Sequence, residues 1–220
     1  MDSFDLFKAL KEQGYIKEDR EEFWWPKSGT FEVLVGTILT QQAKWEKVER
    51  SLENLRERNL LNLNSISNLD GKELALLIKP SGFYNTKAKN LKKLCQNIEK
   101  EFETFENFCL HVERDWLLLQ KGIGEESADS ILCYACKREV MVVDSYTNRL
   151  LMKFGYEFES YSELQEWLVN GIESNHDKIC KLYGKNMELN LIYARFHGKV
   201  VEFCKENRRG KDVEVGSLNF

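Results

Sequence analysis

Two glycines and a later aspartate are the residues of this sequence best suited to chemistry. Gly122 and Gly124 stand one residue apart in the segment 119–128, and Asp144 ends the short apolar run that follows. Glycines at this spacing form tight turns whose main-chain N–H groups can point outward and bind an anion. With a helix after Gly124, the pattern predicts a helix-hairpin-helix that grips a DNA phosphate beside a carboxylate. A plain corner between two helices would show the same glycine pair, so other residues must decide.

Composition sets the class of protein. The 220 residues are 42% hydrophobic and 31% charged, which is typical of a globular protein with a sizeable core. The net charge of −4 gives no overall basic field, so a DNA partner would need a local basic patch. The N-terminus lacks a signal-peptide pattern, and no apolar run approaches the roughly 18 residues of a membrane helix. We therefore expect a cytoplasmic protein that does not contact a membrane. Nothing in the sequence indicates an assembly larger than a monomer.

The six cysteines are expected to be reduced thiols in that compartment. Cys133 and Cys136 have the spacing of a zinc or redox pair. However, no second pair lies nearby, and no histidine stands at a metal-ligand interval from them. The spacing therefore favours two small side chains packed on one helix face.

Apolar periodicity predicts an all-α protein. Thr30 is expected to cap a helix whose apolar residues from 31 to 39 recur at the spacing of one buried face. The segment 189–203 repeats this pattern, and the polar segment 207–214 is expected to fray. Further helices are predicted near residues 44–57, 71–78, 85–101, 104–110, 112–119, 125–137, 145–153 and 161–171.

Lysines and glutamines outside the hairpin are candidates for DNA binding. Lys89 and Lys93 lie four residues apart on one predicted helix face, where lysines are either solvated or follow a phosphate backbone. Gln41 and Gln42 follow an apolar helix. Their amides either cap the helix end or enter a duplex and fill the gap left by an extruded base.

Tryptophans stand close to the glutamine pair in the sequence. Trp24 and Trp25 precede Pro26, and Trp45 follows Gln42. Tryptophans belong more often to a core than to a ligand pocket. Two sets beside a glutamine pair nevertheless favour a flat aromatic slot for a flipped base.

Four motifs, in order and spacing, resemble those of the endonuclease III-like helix-hairpin-helix superfamily of DNA glycosylases. They cover roughly residues 28–204 and comprise residues 38–42, residues 82–88, the hairpin with Val143 and Asp144, and residues 194–199. Within the superfamily the sequence is most similar to the 3-methyladenine DNA glycosylase III branch. The similarity to this branch lies in residues 24–26, 40–41, 121–124, 126–128 and 133–136.

The resemblance implies two all-helical lobes. One lobe would span 29–138 and hold the hairpin, and the other would combine 1–28 with 139–220 and carry the catalytic aspartate. A DNA-facing cleft is expected between them. The expected partner is damaged double-stranded DNA, from which the enzyme would excise 3-methyladenine by base flipping.

Two departures from the bifunctional endonucleases refine this expectation. Those enzymes place a lysine two residues after the second hairpin glycine, where its amine forms a Schiff base with the sugar. Here that position is Glu126, which cannot form an imine, and Lys121 lies on the other side of the glycines. Endonuclease III relatives also hold an iron–sulfur cluster with four C-terminal cysteines. This region has only Cys180 and Cys204, so neither a lyase step nor a cluster is predicted.

The resemblance gives Asp144 the catalytic role. A carboxylate below the sugar can stabilise an oxocarbenium-like transition state or position the attacking water. Asp144 could instead cap the helix that follows it, and one side chain can do both. Because 3-methyladenine is cationic and leaves easily, the pocket needs little general-acid help. Its expected walls are Trp24, Trp25 and Pro26, with Trp45 stacked on the base through cation–π attraction.

The remaining site residues are also implied by the resemblance. Lys199 is either a surface lysine or a second catalytic residue that compensates the charge of Asp144. Backbone carbonyls of Leu118, Gln120 and Ile123 match positions that bind a monovalent cation in relatives when DNA is present. DNA contacts are expected from Gln41, Gln42, Lys89, Lys93, Lys121, Gly122, Ile123, Gly124 and Ser127.

Three alternatives stay open from the sequence. A glycosylase for oxidised pyrimidines or mismatches would keep the hairpin and Asp144 but need more hydrogen-bonding groups in its pocket. A non-catalytic helix-hairpin-helix module would tolerate the loss of Asp144. A helical interaction protein would explain the net negative charge, and it would bind DNA weakly and without salt dependence.

Overall fold

The computed structural model describes residues 1–16, 21–210 and 212–218 and confirms the all-α prediction. A 3₁₀ turn at Lys79–Ser81 and a π-helical turn at Ile131–Ala135 accompany the α-helices, and β1 (Arg208–Arg209) pairs antiparallel with β2 (Asp212–Val213). The α-helices are α1 (Ser3–Glu12), α2 (Phe31–Thr40), α3 (Trp45–Arg56), α4 (Leu63–Asn68), α5 (Gly71–Leu77), α6 (Tyr84–Phe102), α7 (Phe105–His111), α8 (Arg114–Leu118), α9 (Glu125–Ser130), α10 (Ser145–Met152), α11 (Tyr161–Glu173), α12 (His176–Tyr183) and α13 (Leu189–Glu206).

The chain forms two compact units. Lys27–Cys136 makes the first, called here the hairpin unit, and Met1–Pro26 with Lys137–Phe220 makes the second, the terminal unit. Within the described ranges, no helix has the length and apolar content that crossing a membrane requires.

Helix α2 is the centre of the hairpin unit. Its residues from 33 to 39 are all buried, so it has no solvated face, and α3 and α6 both pack against it. Thr30 precedes α2 as predicted, but its hydroxyl donates to the carbonyl of Lys27 at 2.8 Å. The predicted side-chain cap is therefore wrong, since the hydroxyl is used in the preceding turn.

The helix predicted over 125–137 is divided. It is α-helical to Ser130 and then widens into a π turn, in which the Cys136 amide donates to the Ile131 carbonyl at 3.0 Å. The carbonyl of Tyr134 accepts from the Gly29 amide at 2.8 Å, which ties this turn to the entry of α2. Such an insertion changes the direction of the side chains that follow it.

Helices α1, α10, α11 and α13 build the terminal unit. Helix α13 is its core element, and Phe196 packs edge-to-face on Phe7 of α1 with ring centroids 5.4 Å apart. The predicted fraying of 207–214 is wrong for the described part of that segment. Strands β1 and β2 pair, Val213 and Leu218 are buried, and Asp212 accepts from Lys153 at 2.5 Å.

Candidate active site and nucleic-acid interface

The hairpin between α8 and α9 requires a glycine at its first position. Gly122 has φ +85°, and a Cβ there would lie 2.4 Å from Asn90 Nδ2 on α6. Gly124 has extended backbone and precedes α9, with open space where its Cβ would be. Lys121, Gly122 and Gly124 are exposed while Ile123 is buried, so the loop presents main chain rather than an apolar surface.

An ion pair joins the two helices of the hairpin motif. Arg114 on α8 donates through Nε to Asp129 on α9 at 2.7 Å, and its Nη2 reaches the second carboxylate oxygen at 3.2 Å. Asp129 is fully buried, whereas Glu125, 3.5 Å from the same guanidinium, is partly exposed. The two-point contact with Asp129 fixes the orientation of α9 relative to α8.

The two glutamines after α2 have different surroundings. Gln41 donates through Nε2 to the carbonyl of Gly122 at 2.9 Å and to Ser127 Oγ at 3.0 Å. It therefore braces the hairpin. Gln42 is exposed and has φ +53°, a left-handed conformation that costs energy for a side chain of this type. Of the two, Gln42 is the side chain directed to solvent.

The predicted lysine face lies on α6 beside α5. Lys89 and Lys93 are exposed and line a groove of about 390 Å³ together with Lys72. Lys92 lines it too, but its ammonium donates to the Leu69 carbonyl at 2.6 Å. The hairpin contacts α6 next to this lysine face, where Asn97 Nδ2, one turn after Lys93, donates to Gln120 Oε1 at 2.7 Å.

Asp144 caps α10 in the terminal unit. Its Oδ1 accepts from the main-chain amide and from the hydroxyl of Thr147, both at 2.8 Å. Its Oδ2 lies 3.5 Å from His197 Nε2, and the two side chains are only 10% and 6% exposed. The carboxylate is thus fixed at Oδ1 by two hydrogen bonds while Oδ2 faces the His197 ring, and it lies at the positive end of the α10 dipole.

The protonation of Asp144 reflects this environment. Burial alone raises the pKa of the carboxyl group, but His197 and the two donors of Thr147 outweigh burial and hold the pKa below its ordinary value. The side chain is therefore a carboxylate at neutral pH. A buried anion held in this way can stabilise positive charge that develops next to it.

The motif His197-Gly198-Lys199 on α13 organises the surroundings of Asp144. The His197 ring meets Trp24 edge-on, with centroids 5.6 Å apart. Gly198 leaves room for the same indole, because a Cβ there would lie 2.4 Å from Trp24 Cγ. One turn later, Glu202 Oε1 accepts from Trp24 Nε1 at 3.0 Å.

The predicted aromatic residues are divided between the units. Trp24 and Trp25 meet edge-on in the terminal unit, with centroids 6.3 Å apart. Trp25 is buried, Trp24 is partly exposed and Pro26 is exposed. Trp45 is the first residue of α3 in the hairpin unit and is partly exposed.

Lys199 does not occupy the position expected of a surface lysine. It is 1% exposed, and its ammonium donates to the carbonyl of Tyr15 and lies 5.9 Å from the ring centroid of Phe7. Burial and the neighbouring charges of Arg195 and Lys11 lower its pKa to about 7. His197, not Lys199, is the α13 residue seen beside Asp144, and a catalytic role for Lys199 stays a prediction.

The cysteine pair and the hairpin carbonyls are the two places where the sequence raised the question of metal binding. Cys133 is buried, Cys136 is partly exposed, and neither is in a disulfide. In the described ranges, no three His, Cys, Asp or Glu side chains gather into a metal-binding group. The hairpin carbonyl of Gln120 accepts from the Ile123 amide at 3.1 Å, and a carbonyl can still offer its second lone pair to a cation.

Two residues with features of functional sites were not singled out by sequence analysis. His197 was quoted only as part of a motif, and helical periodicity cannot show which side chain meets Asp144. Phe83 is 68% exposed with φ +46° just before α6, and a phenylalanine in this conformation is unusual on a surface. The preceding Gly82 marks the turn but not the exposure of its neighbour.

A helix-hairpin-helix followed by a capped, buried aspartate is the arrangement of helix-hairpin-helix DNA glycosylases. The family model of the HhH-GPD superfamily base excision DNA repair proteins matches residues 35–171. The chain belongs to that superfamily.

Individual relatives agree with this assignment. A Methanocaldococcus jannaschii protein, provisionally named as a DNA repair glycosylase, is 38% identical over 86% of this chain and 82% of its own length. The crystal structure of the H. pylori 3-methyladenine DNA glycosylase bound to 1,N6-ethenoadenine has a TM-score of 0.91 and 47% identity. It matches 95% of this chain and 100% of that one. A non-covalent endonuclease III–DNA complex shares the fold with a TM-score of 0.72 at 18% identity, matching 97% of this chain and 91% of that one.

Proposed function

We propose that this protein is a monofunctional DNA glycosylase that removes alkylated purines, such as 3-methyladenine, from double-stranded DNA. The observation that carries this proposal is the carboxylate of Asp144. It is largely buried, held at Oδ1 by two hydrogen bonds, placed with Oδ2 facing His197, and kept ionised by a lowered pKa in a chain of the HhH-GPD superfamily. The 47% identity to a 3-methyladenine DNA glycosylase supports the choice of substrate.

The hairpin unit supplies the proposed contacts to the duplex. The main-chain N–H groups of Lys121, Gly122 and Gly124 and those of the first turn of α9 would bind one phosphate, whereas the Ile123 amide donates within the loop to the Gln120 carbonyl at 3.1 Å. Lys89 and Lys93 would add phosphate contacts along α6, while Ser127 and Gln41 hold the hairpin.

Gln42 and Phe83 are the proposed residues that enter the base stack. Both are exposed, and both have positive φ angles at a turn beside a helix. An amide can hydrogen-bond to the base left without a partner, and an apolar ring can stack between base pairs. These roles explain why strained backbone is kept at two exposed turns.

The proposed reaction is hydrolysis of the C1′–N9 bond. Its electron pair leaves with the base, so a cationic 3-methyladenine departs as a neutral molecule and the sugar gains positive charge. Asp144 stabilises that charge, and a water forms the new C1′–O bond and loses a proton to the carboxylate or to solvent. A cationic base also suits aromatic partners, for which Trp24, Trp25 and Trp45, with Pro26, stay the proposed residues.

Glu126 and the hairpin carbonyls define two further parts of the proposal. With a carboxylate at position 126, the enzyme would leave an intact abasic strand. A Na⁺ or K⁺ ion held by the carbonyls of Leu118, Gln120 and Ile123 would neutralise the neighbouring phosphate, and no iron–sulfur cluster is proposed.

Chromatography of the bases released from methylated duplex DNA tests this function. The proposal predicts free 3-methyladenine, intact strands until alkali is added, and no covalent adduct when borohydride is present. Release of neutral oxidised pyrimidines instead would contradict the substrate assignment. Trapped adducts would contradict the absence of a lyase step.

A further inference from the structure

Two exposed turns of the hairpin unit share one buried anchor. The first turn follows α2 and carries Gln42, and the second precedes α6 and carries Phe83. Lys87 donates from Nζ to the carbonyl of Leu39 at 2.8 Å and to the carbonyl of Ser81 at 2.8 Å. Leu39 stands three residues before Gln42, and Ser81 stands two residues before Phe83.

The main chain of Lys87 adds a third connection. Its amide donates to the carbonyl of Phe83 at 3.0 Å as part of the first turn of α6. The main-chain amide of Lys87 therefore holds Phe83. Its side chain holds the two segments that lead into the turns.

Burying the ammonium group of Lys87 costs more free energy than a purely structural connection between two turns requires. It is 4% exposed, and burial lowers its pKa to about 8 without an offsetting contribution from a carboxylate. A buried cation whose partners are only carbonyls is costly, and a neutral donor could join the same two carbonyls. The ammonium does, however, make charge-assisted hydrogen bonds, which hold two acceptors more firmly than neutral ones.

We propose that Lys87 is a positioning residue that fixes Gln42 and Phe83 relative to each other, so that both enter the duplex as a unit. This inference rests on the proposed function, because it assigns to these two side chains the role of opening the base stack. Lys87 itself does not touch DNA. Its removal leaves each turn able to move separately, and the flipped state forms less often.

The test measures base flipping and base release separately. Flipping is followed by the fluorescence of 2-aminopurine placed opposite a methylated purine, and release is followed under single-turnover conditions. Lys87→Met keeps the aliphatic stem and removes the donors. We expect it to lower both the fluorescence gain and the release rate by about tenfold or more, because small misplacements of positioning groups have large effects.

A double-mutant cycle separates positioning from general destabilisation. In a Gln42→Ala, Phe83→Ala background, Lys87→Met should have little further effect on flipping, because the side chains that it positions are gone. An equal fold-loss in both backgrounds would overturn the inference. Lys100→Met is the control, since Lys100 lies on the same helix, is exposed and is outside the groove of Lys89 and Lys93, and it should leave flipping unchanged.

Two further measurements keep the outcome decisive. If Lys87→Met does not fold by urea titration, Lys87→Gln, which retains two donors, carries the same cycle. If the wild type raises the 2-aminopurine fluorescence but releases no base, the proposed glycosylase reaction is contradicted. The double-mutant cycle, measured by fluorescence, still tests the positioning role of Lys87. A Lys87→Met variant that flips the methylated base as well as the wild type does would overturn the inference in either case.

Discussion

At the residue scale, Asp144 combines a helix cap with a candidate catalytic charge. Thr147 holds one of its oxygens and His197 faces the other, so the orientation needed for capping also fixes the anion. The two roles can be separated experimentally, because asparagine caps a helix about as well as aspartate but carries no charge.

The lowered pKa of Asp144 predicts how stability depends on pH. A carboxyl group with a lower pKa in the folded state stabilises the protein above its unfolded pKa, and this contribution is lost as pH falls through the folded value. We expect the free energy of unfolding, measured with urea, to decline below about pH 4 more steeply in the wild type than in Asp144→Asn. Equal declines in both proteins would show that the folded environment does not favour the charged form.

At the element scale, the hairpin depends on its contact with α6. Gly122 combines a positive φ with a Cβ position 2.4 Å from Asn90 Nδ2, whereas Gly124 has neither constraint. Gly122→Ala should lower the free energy of unfolding by about 1–3 kcal/mol, because it adds backbone strain and a steric clash. Urea unfolding of Gly124→Ala provides the matched control.

Adding Asn90→Ala to Gly122→Ala distinguishes these two costs. The smaller side chain removes the clash but leaves the strained backbone, so the double variant should recover part of the lost stability. If Gly122→Ala were no more destabilising than Gly124→Ala, the described hairpin geometry would be contradicted.

Helix prediction from the sequence succeeded for most helices with a periodic apolar face, but α1, which also buries one face, was not predicted, and neither was α12. Helices such as α3, α6 and α11 end within two residues of their predicted bounds, because their apolar faces recur every three to four residues. The six-residue α4 was missed because serine and asparagine are weak helix formers, and its cap at Asn62 and its packing stabilise it. The π turn after α9 depends on a distant amide, that of Gly29, which no local pattern reveals.

The sequence indicated where the candidate site lies better than it indicated the role of each side chain there. The motifs pointed to Asp144 and to the hairpin, but they could not separate Gln41 from Gln42, which are adjacent and chemically identical. The structure distinguishes them through the contacts of Gln41 with Gly122 and Ser127. The position of Lys199 on the Tyr15 carbonyl likewise depends on packing between α13 and a distant segment.

At the scale of the whole molecule, local charge must overcome an unfavourable net charge of −4. Lys89 and Lys93 line the groove on α6 and are exposed, so they can meet phosphates without losing other partners that hold the fold. We expect Lys89→Gln with Lys93→Gln to reduce the slope of log binding constant against log salt by about 2, since each lost phosphate contact removes close to one unit.

Fluorescence anisotropy with an undamaged duplex at several salt concentrations measures this slope. Lys100→Gln, on the same helix and also exposed, provides the control and should leave the slope unchanged. A double variant with the wild-type slope would place the DNA backbone away from this face of α6.

The central claim is that the carboxylate of Asp144 promotes hydrolysis of the glycosidic bond of an alkylated purine by stabilising the positive charge on the sugar. The most direct measurement compares wild type and Asp144→Asn for release of 3-methyladenine from methylated duplex DNA in a single turnover, with DNA binding measured in parallel. The account predicts a rate lower by about 100-fold or more with binding retained, because the cap persists while the charge is lost. Release by Asp144→Asn at the wild-type rate would contradict it.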